Sequence, residues 1–147
     1  NGQLNGEVLS YDFDVKLISK EQWRLGSMED SASYYYSSGQ VEKTGVYRNS
    51  MYEGVWIFFH ENGVLKKQVN YHLGQPDGQW LYYNEAGILT QEGQFNQGKE
   101  TGEWKFYNKK GNLQYTGSYT DGERTGIWYE VSRSGKRRPI QLPQQGS

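Results

Sequence analysis

The stretch GEWKFYNKKGNLQYTGSYTDGERTG, from Gly102 to Gly126, decides the fold. Trp104 and Phe106 alternate with Lys105 and Tyr107, and Leu113, Tyr115, Gly117 and Tyr119 alternate with Gln114, Thr116 and Ser118. A period of two is the mark of β-strands rather than helices. Between the two runs, Asn108-Lys109-Lys110-Gly111 reads as a turn in which Gly takes positive φ, and Thr120-Asp121-Gly122 reads as the next turn. Pairing Tyr107 with Asn112 sets Phe106 opposite Leu113 and Trp104 opposite Tyr115, so that one face is aromatic and aliphatic and the other mostly polar. Gly117 then falls in mid-strand on the apolar face, where its missing side chain leaves room for a neighbouring ring against the backbone.

The same unit recurs along the chain. Trp56, Trp80, Trp104 and Trp128 are each 24 residues apart. The Gly residues follow that spacing in four phases: Gly54, Gly78, Gly102, Gly126 with Gly6; Gly39, Gly63, Gly87, Gly111, Gly135; Gly74, Gly98, Gly122 with Gly2 and Gly26; and Gly45, Gly93, Gly117. Of the 19 Gly, Gly146 alone lies off this lattice. Tyr47, Tyr71, Phe95 and Tyr119 form another series, as do Val41, Leu65, Leu89 and Leu113. Backward extrapolation puts Ala32 and Val8 at the Trp phase and Asp30 at a Gly phase. The expected architecture is all-β: about six tandem hairpins in one elongated, single-layer antiparallel sheet, with atypical end units. Residues 1–147 form a single repeat domain in this reading, with degenerate units at 1–38, well-formed repeats at 39–135, and a C-terminal cap and tail at 136–147. Ser27 to Ser38 is the weakest stretch, being polar and irregular apart from Tyr34, Tyr35 and Tyr36. At the C-terminal edge Arg137 takes the phase of Leu113 and Pro139 follows, a combination that discourages edge pairing.

Composition agrees with a sheet that lacks a thick core. Leu, Ile, Val and Phe make up about 19% of the 147 residues, a low fraction that by itself suggests disorder, yet aromatics reach 16%. Rings packed along the sheet replace an aliphatic interior. The net charge of −1 argues against a nucleic-acid binder that works by attraction to phosphate. With no Cys, disulfide frameworks and thiolate zinc sites are excluded. No apolar run is long enough to span a bilayer as a helix, and the sequence at Asn1 reads as a trimmed start without a signal peptide. Compartment stays open between bacterial cytoplasm and a secreted or envelope location.

The pattern G-x-W-x-x-Y-x-x-x-G-x-L-x-x-x-G-x-Y-x-x-G-x-x-x-G-x-W, from Gly102 to Trp128, resembles the MORN repeat in its bacterial variant form. The resemblance covers Gly39 to Gly135 well and the first 38 residues loosely. It implies an elongated, twisted sheet of successive hairpins, in which Trp56, Trp80, Trp104 and Trp128, Gly54, Gly78, Gly102 and Gly126, and Leu65, Leu89 and Leu113 are structural repeat positions. In that family the repeats act as scaffolding and interaction modules. Some bacterial members carry the label of YwqK-type antitoxins, and eukaryotic members sit beside catalytic domains or contact membranes.

No catalytic constellation stands out, so the chain reads as non-enzymatic, with no catalytic, metal-binding or cofactor-binding residues. His60 and His72 fit no metal-ligand spacing and read as ordinary strand or turn residues. Asp77 and Asp121 precede Gly and read as turn chemistry. Asp12 and Asp14 flank Phe13 and could share one strand face, a weak carboxylate pair. The Trp series reads as packing between units. On the opposite face, Phe59, Tyr83 and Tyr107 with Lys105 and Gln114 are the candidate partner-binding residues, because rings flanked by polar groups suit a protein surface. Arg133, Lys136, Arg137 and Arg138 form the one basic concentration. The favoured function is a protein-interaction module, with a toxin as the sharpest candidate partner. A cell-wall or carbohydrate binder using aromatic rows is one alternative, contact of the basic end with anionic membrane is another, and an unrecognised hydrolase comes last.

Overall fold

The computed structural model describes residues 2–141. Its strands are β1 (Gly6–Tyr11), β2 (Leu17–Arg24), β3 (Ser27–Tyr35), β4 (Val41–Arg48), β5 (Met51–Phe59) and β6 (Leu65–His72), followed by β7 (Gln75–Tyr83), β8 (Leu89–Asn96), β9 (Lys99–Tyr107), β10 (Leu113–Thr120), β11 (Glu123–Val131) and β12 (Arg137–Ile140). All pair antiparallel in one 12-stranded sheet whose spatial order is the sequence order. The tail beyond Gln141, with Gly146, lies outside the described residues. The stretch expected to be irregular forms the nine-residue strand β3, paired on both sides.

Two turn types alternate, and the Gly phases account for both. The tight turns after the even strands have positive φ at both central residues, as in Asp121 (φ 51) and Gly122 (φ 83), the signature of a type I′ hairpin. Their second residue also donates its N–H to the preceding hairpin, as Gly74 does to Tyr52 O at 3.1 Å and Gly98 to Pro76 O at 2.8 Å. Stacked turns are thereby tied together at one margin of the sheet. In the longer turns the first residue donates to the carbonyl of the fifth, as Asn108 N does to Asn112 O at 2.9 Å. Asn108 Oδ1 also accepts from the N–H groups of Lys110 and Asn112, an Asx turn. Asp12 plays that part in the first turn, accepting from Asp14 N at 2.9 Å and Lys16 N at 3.0 Å. Asp12 and Asp14 therefore lie in a turn and do not share a strand face.

The expected β9/β10 register needs correction. Tyr107 pairs with Leu113, Phe106 with Tyr115 and Trp104 with Gly117, with a bulge at Gln114. Residues paired across antiparallel strands share a face, so the bulge moves Leu113 away from the Trp side and onto that of Tyr107. Leu65 pairs with Phe59 and Leu89 with Tyr83 in the same way. A strict period of two cannot reveal this, because a bulge inserts one residue without altering the alternation on either side of it. A second bulge sits on the odd strands, where Gly54, Gly102 and Gly126 have φ of 71, 69 and 68. Asp30 holds this position in β3 with φ 72, a conformation Asp tolerates better than most residues.

The core is one layer of rings. Trp56, Trp104 and Trp128 are 0%, 4% and 5% exposed, and the Tyr/Phe series alternates with them edge to face. Phe95 meets Trp104 at 5.3 Å and 84°, and Tyr119 meets Trp128 at 5.2 Å and 85°. Such edge-to-face pairs contribute about 0.5–1.5 kcal/mol each beyond area burial. The mid-strand Gly residues permit the layer. A Cβ at Gly45, Gly93 or Gly117 would stand 2.3, 2.1 or 2.0 Å from the ring of Trp56, Trp104 or Trp128. Each of these indoles lies flat on Gly backbone and donates to a carbonyl one strand back: Trp56 to Val46 O, Trp104 to Gln94 O and Trp128 to Ser118 O, at 2.8–3.2 Å.

Candidate functional site

The sheet has two faces, and alternation along each strand assigns side chains to them. On the face opposite the Trp layer, an aromatic or aliphatic pair recurs where each odd strand enters its long turn. The pairs are Tyr11 with Leu17, Tyr35 with Val41, Phe59 with Leu65, Tyr83 with Leu89, and Tyr107 with Leu113. Val131 pairs with Arg137 at the same position in the last hairpin, as the phase of Arg137 implied. Apart from exposed Tyr11 and Arg137, these side chains are half-buried, neither sealed in a core nor fully in solvent.

Beside that row runs a ladder of mixed character: Thr44, Ile57, Gln68, Leu81, Glu92, Lys105, Thr116 and Tyr129, each opposite the next. Thr116 is buried and donates to Trp104 O at 3.0 Å. Lys105 lies 3.7 Å from Glu103 and shares with Glu92 a polar depression of about 160 Å³. Tyr107 donates its hydroxyl to Glu92, and burial, followed by that carboxylate, pushes the phenol up to about 12.

Four of the five expected partner-binding residues, Phe59, Tyr83, Lys105 and Tyr107, are thus distributed along this face. Phe59, Tyr83 and Tyr107 occupy equivalent positions, Lys105 stands one residue pair inward of Tyr107, and exposed Gln114 is the bulge residue beside Leu113. The backbones of Phe59 and Tyr83 have structural duties as well. Tyr36 donates to Phe59 O at 2.6 Å, and His60 Nε2 lies 2.9 Å from Tyr83 O. His60 is a turn residue that fastens its hairpin to the next. His72 ends β6 with its Nδ1 3.0 Å from Glu53, whose carboxyl that contact holds below its ordinary range. No group of three or more His, Asp or Glu able to hold a metal ion occurs among the described residues. At the basic end Arg138 pairs with Glu130, so one of the four cations is engaged within the sheet.

Comparison with known proteins bears on the repeat itself. A family model described as MORN repeat variant matches residues 31–49, 52–72, 76–97 and 100–121, more than half of the chain. The chain belongs to the MORN repeat variant family. The four matched MORN units include residues 31–38, which the sequence resemblance covered only loosely. No curated protein matches the chain. A solved structure from Bacteroides fragilis, described as a protein with unknown function, is similar over 96% of this chain and 91% of that chain at 11% identity. Its TM-score of 0.18 carries no argument about this MORN sheet.

One MORN unit departs from the lattice in a way the sequence signalled but the spacing of Trp concealed. Val69 occupies the phase of Gly45, Gly93 and Gly117. Fully buried, it denies Trp80 the flat seat that the other three indoles have. Trp80 is half-buried, donates to the side chain of Gln91 at 3.3 Å instead of to a carbonyl, and stacks on Tyr82 at 6.4 Å. The Nζ of Lys67 lies 5.2 Å from its ring centroid.

Proposed function

We propose that the chain is a non-enzymatic protein-interaction module that engages its partner with the face opposite the Trp layer. The observation that carries this reading is the row of half-buried ring and aliphatic pairs, Phe59/Leu65, Tyr83/Leu89 and Tyr107/Leu113, flanked by Lys105 and Gln114. Rigid rings on a hydrogen-bonded sheet lose little entropy on binding, and polar neighbours fix orientation. In its sharper form the partner is a toxin that the sheet covers. Against a glycan platform stands the burial of Trp56, Trp104 and Trp128, whose flat faces rest on Gly backbone and are not presented to solvent. Against a membrane-binding end stands the pairing of Arg138 with Glu130.

The test is capture from a host extract on the immobilised chain, followed by the variant Tyr83→Ser with Lys105→Glu. We expect the captured protein to be lost from the double variant while its thermal melt stays close to that of the parent. Retention of the same protein by the variant sinks the assignment of this face. Rescue of cells from a toxin encoded nearby tests the sharper form, and failure of rescue removes it.

A further inference from the structure

The Trp side carries a second feature. A ladder of cross-strand pairs runs along it towards the long turns: Tyr34, Lys43, Phe58, Lys67, Tyr82, Gln91, Phe106, Tyr115 and Glu130, each opposite the next. Two lysines therefore flank Phe58. The Nζ of Lys43 lies 4.8 Å from the Tyr34 ring centroid and donates to Tyr52 Oη at 2.8 Å. The Nζ of Lys67 lies 4.5 Å from the Phe58 centroid and 5.2 Å from that of Trp80. Neither ammonium has a carboxylate within ion-pair distance among the described residues, and Lys67 makes no hydrogen bond within the chain there.

A cavity of about 200 Å³ opens at this point, lined by Lys43, Lys66, Lys67, Phe58, Phe59, Tyr36 and one carboxylate, Glu42. Three cations thus face one anion on an aromatic floor. Burial, then the charges of Lys66 and Lys43, hold the Lys67 ammonium below its ordinary range, so a repulsive arrangement is kept with one carboxylate for three cations. Charge held in partly desolvated surroundings asks for an anion. Ring faces can stabilise an ammonium, but they leave its outward N–H donors free. A volume of about 200 Å³ is below the roughly 300–1,000 Å³ usual for a small-molecule pocket, and it is ample for one carboxylate side chain.

We propose that this basin between Lys43 and Lys67, floored by Phe58, receives an acidic side chain from a partner protein, with the carboxylate held by both ammonium groups and its stem against the ring. The proposal rests on reading the chain as a protein-binding module and adds a contact centred on Lys43, Phe58 and Lys67 of the Trp side, selective for Asp or Glu in an apolar setting. With Val69 in place of the Gly seat, the Trp80 ring lies beside Lys67, 5.2 Å from its Nζ, where it reports on that ammonium.

The test is an NMR titration of the full chain, observing the Trp80 indole N–H. The probes are the peptide acetyl-Gly-Glu-Phe-Glu-Gly-amide, its Gln counterpart, and inorganic phosphate. We expect saturable, salt-sensitive shifts with the acidic peptide and binding at least about tenfold weaker with the Gln peptide. Lys67→Gln should weaken the acidic peptide about tenfold, Lys43→Arg should largely retain it, and Lys99→Gln, exposed at the start of β9, should change nothing. Equal binding of the two peptides overturns the proposal without any variant. An equal loss from Lys99→Gln also overturns it, and so does phosphate saturating the same resonance as tightly as the peptide. A host protein captured equally by the parent and the Lys43→Gln, Lys67→Gln chain refutes this site and leaves the module reading intact. If no chain captures a protein, the module reading falls instead.

Discussion

The strongest constraints at the scale of single residues come from backbone that only Gly fits and from positions where Gly is missing. At Gly93 an added Cβ would meet the Trp104 ring at 2.1 Å, and the ring is boxed by Phe95 and Phe106. Gly93→Ala should therefore cost about 3 kcal/mol or more, read from urea denaturation. The opposite sign applies at Val15, which holds φ 60 at the phase where Gly39, Gly63, Gly87, Gly111 and Gly135 take φ of 84–93. A β-branched side chain is strained there, and Val15 is 77% exposed, so little packing is lost on removing it. We expect Val15→Gly to stabilise by about 1 kcal/mol, after allowing for the added freedom of the unfolded chain. A midpoint that stays put or falls would show that the strain is relieved some other way.

Each hairpin is the repeating element, and its stability depends on whether the indole has a seat. Trp104 lies on Gly93, whereas Trp80 faces Val69 and stays half-buried. Trp104→Ala should cost about 3–5 kcal/mol, and Trp80→Ala should cost less by roughly 1–2 kcal/mol in the same denaturation series. The tight turns differ among themselves in a comparable way. Leu73 adopts φ 51 in a type I′ turn at the position that Asn49 and Asp121 hold in two of the other tight turns. Asn tolerates that conformation better, so Leu73→Asn should raise the melting temperature, with a gain of a few tenths to about 1 kcal/mol. Bulges also belong to this scale. They could be suspected from Gly54, Gly78, Gly102 and Gly126, but the shift at Gln114 has no Gly to announce it, and the assignment of Leu113 to the Trp face failed for that reason.

The whole molecule is a one-dimensional stack in which every hairpin touches only its neighbours, so stability should scale with the number of units. Deleting Gly74 to Gln97 removes one lattice period and restores every phase across the junction. That chain should fold with a shallower denaturant slope, reduced roughly in proportion to its length. Deleting Gly74 to Glu85 sets Gly phases against ring phases and should abolish the cooperative transition. Alkali probes the half-buried phenols of both faces together. Burial raises the phenols of Tyr34, Tyr47, Tyr71, Tyr107 and Tyr119, with Tyr107 at about 12. A phenol whose folded value lies above its unfolded value of 10.0 favours the fold while protonated, so its contribution is complete below that pH and is lost as pH rises through the folded value. Absorbance at the phenolate band should therefore show a fraction of the Tyr ionising only as the sheet unfolds, in the interval from about pH 10 to 12 for Tyr107. A single simple titration without unfolding would contradict the burial of these phenols.

Sequence by itself determined the strand period, the number of units, the ring layer on Gly backbone and the family, because each is a local rule repeated at fixed spacing and repetition makes weak signals additive. It also marked Asp30 as a Gly substitute, since a phase is visible even where the residue differs. Tertiary structure alone decided which face Leu65, Leu89 and Leu113 join, because a bulge is chosen by the partner strand. It decided that Trp80 is displaced, because the consequence of Val69 depends on what lies across the ladder. And it set Lys43 and Lys67, which the 24-residue lattice already puts at one phase, to either side of Phe58, because the register that places both opposite that ring depends on the bulges.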